Sequence, residues 1–309
     1  MNKARSAVDW NARREFGPMA TLRLGVWLAL RLGRTLARVL LAPVCLGFVI
    51  ASPAARAASK GYLTRVLGRP PRSHEVLRHF FTFGTTVLDR VYLLNDETHR
   101  FEITLHGEAI VTEILAQGGG CLLLGAHHGS FEVLRLVGRR QPGLRVSLAM
   151  YEVTGRKIGA ALNAINPHLA PRIIGLGTPG AMIEIRDCLD QGGFVGMLAD
   201  RTLPSDSTIG VDFLGAPAAF PTGPARLAAL LRPPVVLMIG LFRGGNRYEI
   251  HFERLAAPAS GRPEPEEVTR LIAHYVARLE HYCRAAPYNW FNFLALIVLF
   301  VDIGYPRVL

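Results

Sequence analysis

Residues 118–132 read Gly118-Gly119-Gly120-Cys121-Leu122-Leu123-Leu124-Gly125-Ala126-His127-His128-Gly129-Ser130-Phe131-Glu132. Cys121–Ala126 is an unbroken apolar run of strand length, the pattern of a strand buried on both faces. Gly129-Ser130 supplies a turn and an N-cap, and a helix is expected from Phe131 onward. The stretch is thus a strand–turn–helix unit with two histidines where the strand ends. Carboxyl ends of strands in α/β sheets are where ligands bind.

Outward from this unit the same alternation continues. Short apolar runs at Phe101–His106, Arg145–Tyr151, Arg172–Leu176, Gly193–Asp200 and Pro234–Phe242 are expected strands. Helical patterns lie between them, near 109–117, 130–140, 155–165, 178–190 and 221–232, and a last one near 265–285. Such alternation predicts an α/β fold with a sheet covered on both faces. Gly244-Gly245-Asn246 between two strand-like runs reads as a hairpin turn, so the sheet is mixed but mostly parallel. Upstream, residues 76–95 repeat apolar side chains at helical spacing, and Gly68-Arg69-Pro70-Pro71 separates them from what precedes.

Chemistry concentrates at the strand end. Four residues separate His127 from Glu132. Across a strand–turn–helix corner that spacing can bring a carboxylate to one imidazole nitrogen, fixing the tautomer. The other nitrogen can then take a proton from a hydroxyl. The motif has no obvious activated nucleophile, so the substrate hydroxyl would attack directly. Backbone N–H groups around Gly129 and Ser130 are candidates for holding an oxyanion. His128 is the rival base, or a packing or oxyanion residue. The bland alternative is a pair of loop histidines with a helix-start glutamate. No third metal ligand is visible, so no metal is expected. Cys45, Cys121, Cys188 and Cys283 form no CxxC pair; neither a zinc site nor a disulfide framework is indicated.

Charge is unevenly placed. The chain has 309 residues and a formal net charge of +11, and 50% of its residues are hydrophobic. Residues 1–72 hold thirteen Lys and Arg against Asp9 and Glu15 and account for the whole excess; the remaining 237 residues are balanced, with 22 of each sign. Disorder and a polytopic membrane protein are excluded. The division is into a basic, apolar membrane-anchoring segment, 1–72, and an α/β domain, 73–309. Bases interleaved with Leu, Val and Trp point to an anionic membrane surface rather than to nucleic acid. From Thr21 to Ala51 the chain is helix-forming, with Arg23, Arg31, Arg34 and Arg38 on one face beside Trp27. The expectation is a helix in the lipid interface with its arginines at the headgroups. A short span, a signal peptide and a buried core helix are the alternatives.

The sequence resembles a known family. The His-x4-Glu element after a Leu-rich strand is similar to the signature of the lysophospholipid acyltransferase superfamily. The ordered blocks "GGGCLLLGAHHGSFE", "LADRT", "VDFLGAPAAFPTGPARLA" and "PVVLMIGLFRGGNRYEIHFE" resemble the bacterial lipid A late-acylation (lauroyl/myristoyl) acyltransferases. "LGRPPRSHEVLRHFFTFGTTVLDRVYLL" and "APYNWFNF" resemble the branch of that family found in aryl polyene gene clusters. The resemblance implies transfer of a fatty acyl group from a thioester, usually on acyl carrier protein, to a hydroxyl of a lipid acceptor in the membrane. No cofactor is implied, and the implied site is the cytoplasmic face of the inner membrane. His127 would be the base and Glu132 its orienting partner.

Further residues carry over by position. Asp200 and Arg201 fall where the family has an acidic residue, and would orient the acceptor or bind a phosphate. Pro221-Thr222-Gly223-Pro224-Ala225-Arg226 aligns with the block in which glycerol-phosphate acyltransferases have Glu-Gly-Thr; the missing glutamate argues against a glycerol-phosphate acceptor. Thr222 and Gly223 open a helix whose N–H groups could hold a phosphate or oxyanion, with Arg226 one turn inside. Phe213, Leu214 and Phe220 read as core rather than as an acyl-chain ruler. The apolar tail 294–301 departs from the family's polar ending. The expected function is a membrane-associated O-acyltransferase. A thioesterase and a non-catalytic membrane adaptor are the alternatives.

Overall fold

A computed structural model gives the architecture. It describes residues 4–130, 144–151, 172–178, 180–202, 206–256 and 265–292, with side chains from residue 24 onward. The helices expected near 130–140 and 155–165, Glu132 among them, and the tail 294–301 lie outside the described residues.

Strands β1 (Glu102–His106), β2 (Cys121–Gly125), β3 (Val146–Tyr151), β4 (Arg172–Leu176), β5 (Phe194–Leu198), β8 (Val235–Gly244) and β9 (Arg247–Ala256) form one sheet in the order β1-β9-β8-β2-β5-β3-β4. All neighbours run parallel except β8 and β9, which the turn at Gly244-Gly245 joins antiparallel. The expected mixed, mostly parallel sheet is what forms. Strand β2 sits near its centre and is buried along its whole length. Its side chains alternate between two cores. Leu122 and Leu124 join the core that holds Leu237 and Ile239, while Cys121 and Leu123 join that of Val236 and Met238. This is the period-two alternation of a strand covered on both faces.

Helices α2 (Pro53–Leu67), α3 (Ser73–Leu94), α4 (Glu108–Ala116), α5 (Ala181–Asp190), α6 (Gly223–Leu231) and α7 (Pro265–Ala285) flank the sheet. A separate hairpin, β6 (Thr208–Phe213) and β7 (Ala216–Pro221), packs beside α7. It turns at Leu214-Gly215, both at positive φ, as a two-residue hairpin requires. This hairpin was not expected from the sequence, because Pro217 and Pro221 demote β7 as a strand. Prolines are tolerated here because the pair is a two-stranded edge. Phe213, Leu214 and Phe220 are buried, as read.

The N-terminal helix α1 runs Ala4–Ala51 with a break at Gly33 (φ 75°, ψ 161°). Residues Leu24–Ala51 are long and apolar enough to cross a membrane. The expected orientation is corrected for two of its arginines. Arg34 is turned into the protein and pairs with Asp89, with Nε and Nη2 each 2.7 Å from a carboxylate oxygen. Arg38 donates to the Gly245 carbonyl (2.9 Å). Asp89 is wholly buried and also accepts from the Tyr248 hydroxyl (2.7 Å). An arginine can be buried only with such partners, and no sequence pattern showed where the acid would come from. Arg31 remains outside, over the Trp27 ring.

Candidate active site

Strand β2 ends at Gly125, whose carbonyl accepts from the Tyr275 hydroxyl of α7 (2.8 Å). The next residues leave the sheet in a tight corner. The His128 amide donates to the Ala126 carbonyl at 2.7 Å, and Gly129 adopts φ +59°. A Cβ on Gly129 would lie 1.8 Å from the Gly240 carbonyl oxygen of β8, so only glycine fits. Gly240 is constrained in return, since its Cβ would meet the Ser130 carbonyl at 2.5 Å. Two backbones therefore touch where the imidazole is presented.

The segment 288–292 (Tyr-Asn-Trp-Phe-Asn) closes over this corner. The Gly129 amide donates to Asn289 O (2.8 Å) and the Phe291 amide to His127 O (2.7 Å). The Asn289 side chain in turn clips the Phe242 backbone, accepting from its amide (2.7 Å) and donating to its carbonyl (3.2 Å).

His127 is held by Asp200, which follows β5, the parallel neighbour of β2. Nδ1 lies 2.8 Å from Oδ1, and the His127 backbone amide donates to Oδ2 at 3.0 Å. Oδ2 also accepts from Trp290 Nε1 (2.8 Å). Burial alone would raise the Asp200 pKa. The charge and hydrogen bonds of His127, with Arg201 adding its charge, outweigh burial and hold it at about 2. An ionised carboxylate only accepts, so Nδ1 carries the proton and Nε2 the lone pair. The His127 side chain is 22% exposed, and no described residue hydrogen-bonds Nε2. The arrangement is a carboxylate-steered imidazole whose other nitrogen is engaged by none of the described residues.

Several expected roles change. Glu132 lies outside the described residues, and the carboxylate on Nδ1 is that of Asp200. Asp200 spends both oxygens on His127 and Trp290 and is buried, so it does not face an acceptor. Arg201 is likewise engaged, donating to Asn292 Oδ1 (2.9 Å) and the Phe291 carbonyl (2.8 Å). The Gly129 amide is taken by Asn289 and cannot serve an oxyanion.

His128 points inward and is 2% exposed, its ring beside the backbone of Gly240 and Tyr282. Burial drives its pKa down to about 4, against the milder pull of the Gly240 backbone and the Asp200 charge. It is a neutral packing residue here, not a rival base at the surface. Ser130 is also buried, its hydroxyl unpartnered. Thr222 caps α6, and its amide and hydroxyl both donate to Ser207 O (2.9 and 3.1 Å). Gly223 and Arg226 are exposed. Among the described residues no hydrogen bond or ion pair joins Thr222, Gly223 or Arg226 to His127.

Sequence reasoning missed the Asp200–His127 pairing and the closing role of 288–292. The signal for the second was present: Trp290, Asn289 and Asn292 are polar-tipped side chains clustered in one short block. The four cysteines are free, and Cys45 and Cys121 pack as read. One His/Glu cluster, His106, Glu249 and His251, stands at the β1–β9 edge with donor atoms within 4.8 Å. Its Glu249 is already paired with Arg243 (2.8 Å). No curated protein matches the chain. A family model described as bacterial lipid A biosynthesis acyltransferase matches residues 24–297.

Proposed function

The chain belongs to the bacterial lipid A biosynthesis acyltransferase family, and we propose that it is an O-acyltransferase whose general base is Nε2 of His127. The observation that carries this is the Asp200–His127 pair at the end of β2, with Nδ1 held and Nε2 engaged by none of the described residues. A hydroxyl of a lipid acceptor gives its proton to Nε2 as its oxygen attacks the carbonyl carbon of an acyl thioester. The C–S bond then breaks, and the leaving thiolate takes the proton back from the imidazolium. Asp200 keeps Nδ1 protonated and stabilises the transient imidazolium charge. No covalent acyl-enzyme is required, since the acceptor attacks directly.

The donor in this reading is acyl carrier protein, and the acceptor is a lipid A precursor or a related glycolipid or aryl polyene lipid. The reaction takes place at the cytoplasmic face of the inner membrane. Membrane association is supported by the family and by the outward apolar side chains of α1, among them Trp27, Val39 and Ile50. Glu132 is retained as a candidate orienting residue of the base, and Thr222, Gly223 and Arg226 as candidate substrate contacts.

The test is acyl transfer from an acyl-carrier-protein thioester to lipid extract, read by mass spectrometry, with wild type and His127→Ala in parallel. New acylated lipid with wild type alone supports the reading. Free fatty acid with no acylated lipid means a thioesterase. No turnover of thioester leaves an adaptor.

A further inference from the structure

We propose that the outer surface of α2 and the start of α3 is the docking face for an acidic protein that carries the acyl thioester. This names a partner of the site described above and rests on the donor proposed for it.

The charge of this surface is one-sided. Between Glu15 and Asp89 the chain's only acid is Glu75. Glu75 is buried, and Arg69 donates to both of its oxygens (2.7 and 2.9 Å). Lys60, Arg65, Arg72 and Arg78 are exposed, and none of the four is ion-paired among the described residues. Elsewhere several exposed arginines have their own acids. Arg172 stands beside Glu184 (3.6 Å), Arg243 beside Glu249 and Arg284 beside Glu280 (2.8 Å each). Like charges gathered on one face repel one another, and a counter-charge brought from outside relieves that repulsion.

The preceding helix has a different surface. The exposed large apolar side chains of α1 run from Leu24 to Ile50, and among the described residues none follows until Tyr151. The outer face of α2 offers Ala54, Ala57, Lys60, Gly61, Thr64 and Arg65. It has no large apolar side chain to insert into hydrocarbon. Charges set among small side chains suit a polar contact that opposite charge steers and that forms and breaks readily. The thioester donor is the reactant that must arrive and leave with every turnover.

The face lies one layer of side chains from the catalytic corner. The Arg78 guanidinium sits over the Tyr288 ring (4.4 Å), and the Tyr288 hydroxyl donates to Glu75 (3.2 Å). Tyr62 of α2 packs on Trp290 with ring centroids 4.9 Å apart. Tyr288 and Trp290 belong to the segment that closes over His127, and Trp290 donates to Asp200. A carrier held here has only to extend its acyl arm past that segment.

Fluorescence anisotropy of labelled lauroyl-acyl carrier protein, titrated with the protein in neutral dodecyl maltoside micelles, tests this without requiring turnover. Binding should weaken by about tenfold in Lys60→Glu/Arg65→Glu/Arg72→Glu, and in wild type as salt is raised. The same triple variant should raise KM for the lauroyl carrier and keep kcat. Transfer from lauroyl-pantetheine should be unchanged, since that donor has the thioester and no protein surface. No carrier binding in wild type, or unaltered binding in the triple variant, overturns the docking face. Equal loss with both donors also overturns it, because the face then serves the fold. Loss of binding to phosphatidylglycerol vesicles, with carrier binding intact, assigns the charges to the bilayer and overturns it. Salt-sensitive carrier binding that the triple variant weakens, with no acyl transfer to lipid in wild type, supports the docking face and overturns the acyltransferase reading.

Discussion

The Asp200 carboxylate grips His127 twice, taking the imidazole Nδ1–H at 2.8 Å and the backbone N–H at 3.0 Å, across 73 residues of sequence. The double contact fixes the side chain to its own backbone as well as to the neighbouring strand. Ring orientation and tautomer are set before any substrate arrives, which is what a general base needs.

Removing the base is the most direct prediction. His127→Ala should lower acyl transfer by about 10²- to 10⁴-fold, the range of general-base catalysis. Membrane retention should be unchanged, since among the described residues no hydrogen bond or ion pair joins α1 to His127. Acylated lipid quantified against sedimented protein checks both halves.

Asp200→Asn tests the steering. The amide can keep its oxygen on the His127 amide and Trp290 Nε1, which places its NH2 against Nδ1; Nδ1 must then accept, so the proton moves to Nε2 and the base's lone pair is lost. Turnover should fall at least about 10²-fold with the imidazole still present. The same variant bears on acid stability. The Asp200 carboxyl is depressed to about 2 from 3.8. Its stabilisation is therefore complete above pH 4 and lost as pH falls toward 2, on the order of 2 kcal/mol. Unfolding of the detergent-solubilised protein should show that loss in wild type and not in Asp200→Asn.

Trp290→Phe should be milder. It keeps the ring packed on Phe213 and Tyr62 but removes the Nε1 donor to Oδ2. The cost should be about 1 kcal/mol of stability, with a fall in turnover smaller than that of Asp200→Asn. Melting temperature and kcat for the two variants, side by side, decide it.

His128 and His79 should make the fold acid-labile at a higher pH than Asp200 does. Burial is the main cause in both and depresses them to about 4 and about 3. A depressed imidazole stabilises fully above its unfolded value of about 6.5 and loses that contribution as pH falls through its folded value. Wild-type stability should therefore drop between pH 6.5 and 4. His128→Leu should flatten part of that drop and retain activity. A pH series of thermal unfolding curves tests it.

Gly129→Ala should be the most damaging small change. It combines φ +59° with a Cβ placed on the Gly240 carbonyl, so β2 and β8 cannot both keep their places. Melting temperature should fall by several degrees and turnover should be lost, although no functional group has been removed.

The alternation of strands and helices was legible because each run is long and regular enough to carry its own period. The same holds for the position of His127, since an apolar strand interrupted by His-His-Gly has few other readings. The β6–β7 hairpin was not legible, because its prolines contradict local strand preference and only packing against α7 and Trp290 compensates. Glu132 is near His127 in the sequence and lies outside the described residues. Asp200 is near only because β5 pairs in parallel with β2.

The sequence alone determined the fold class, the strand end that presents an imidazole, and the concentration of basic and apolar residues before residue 73. Those are properties of local runs, where neighbours in the chain are neighbours in space. Tertiary structure alone decided which carboxylate meets His127, that His128 turns inward, and that Arg34 and Arg38 face the protein rather than the headgroups. Each of those depends on a partner tens to hundreds of residues away. A buried charge or polar hydrogen is placed by whichever partner the fold delivers, and sequence spacing carries no record of it.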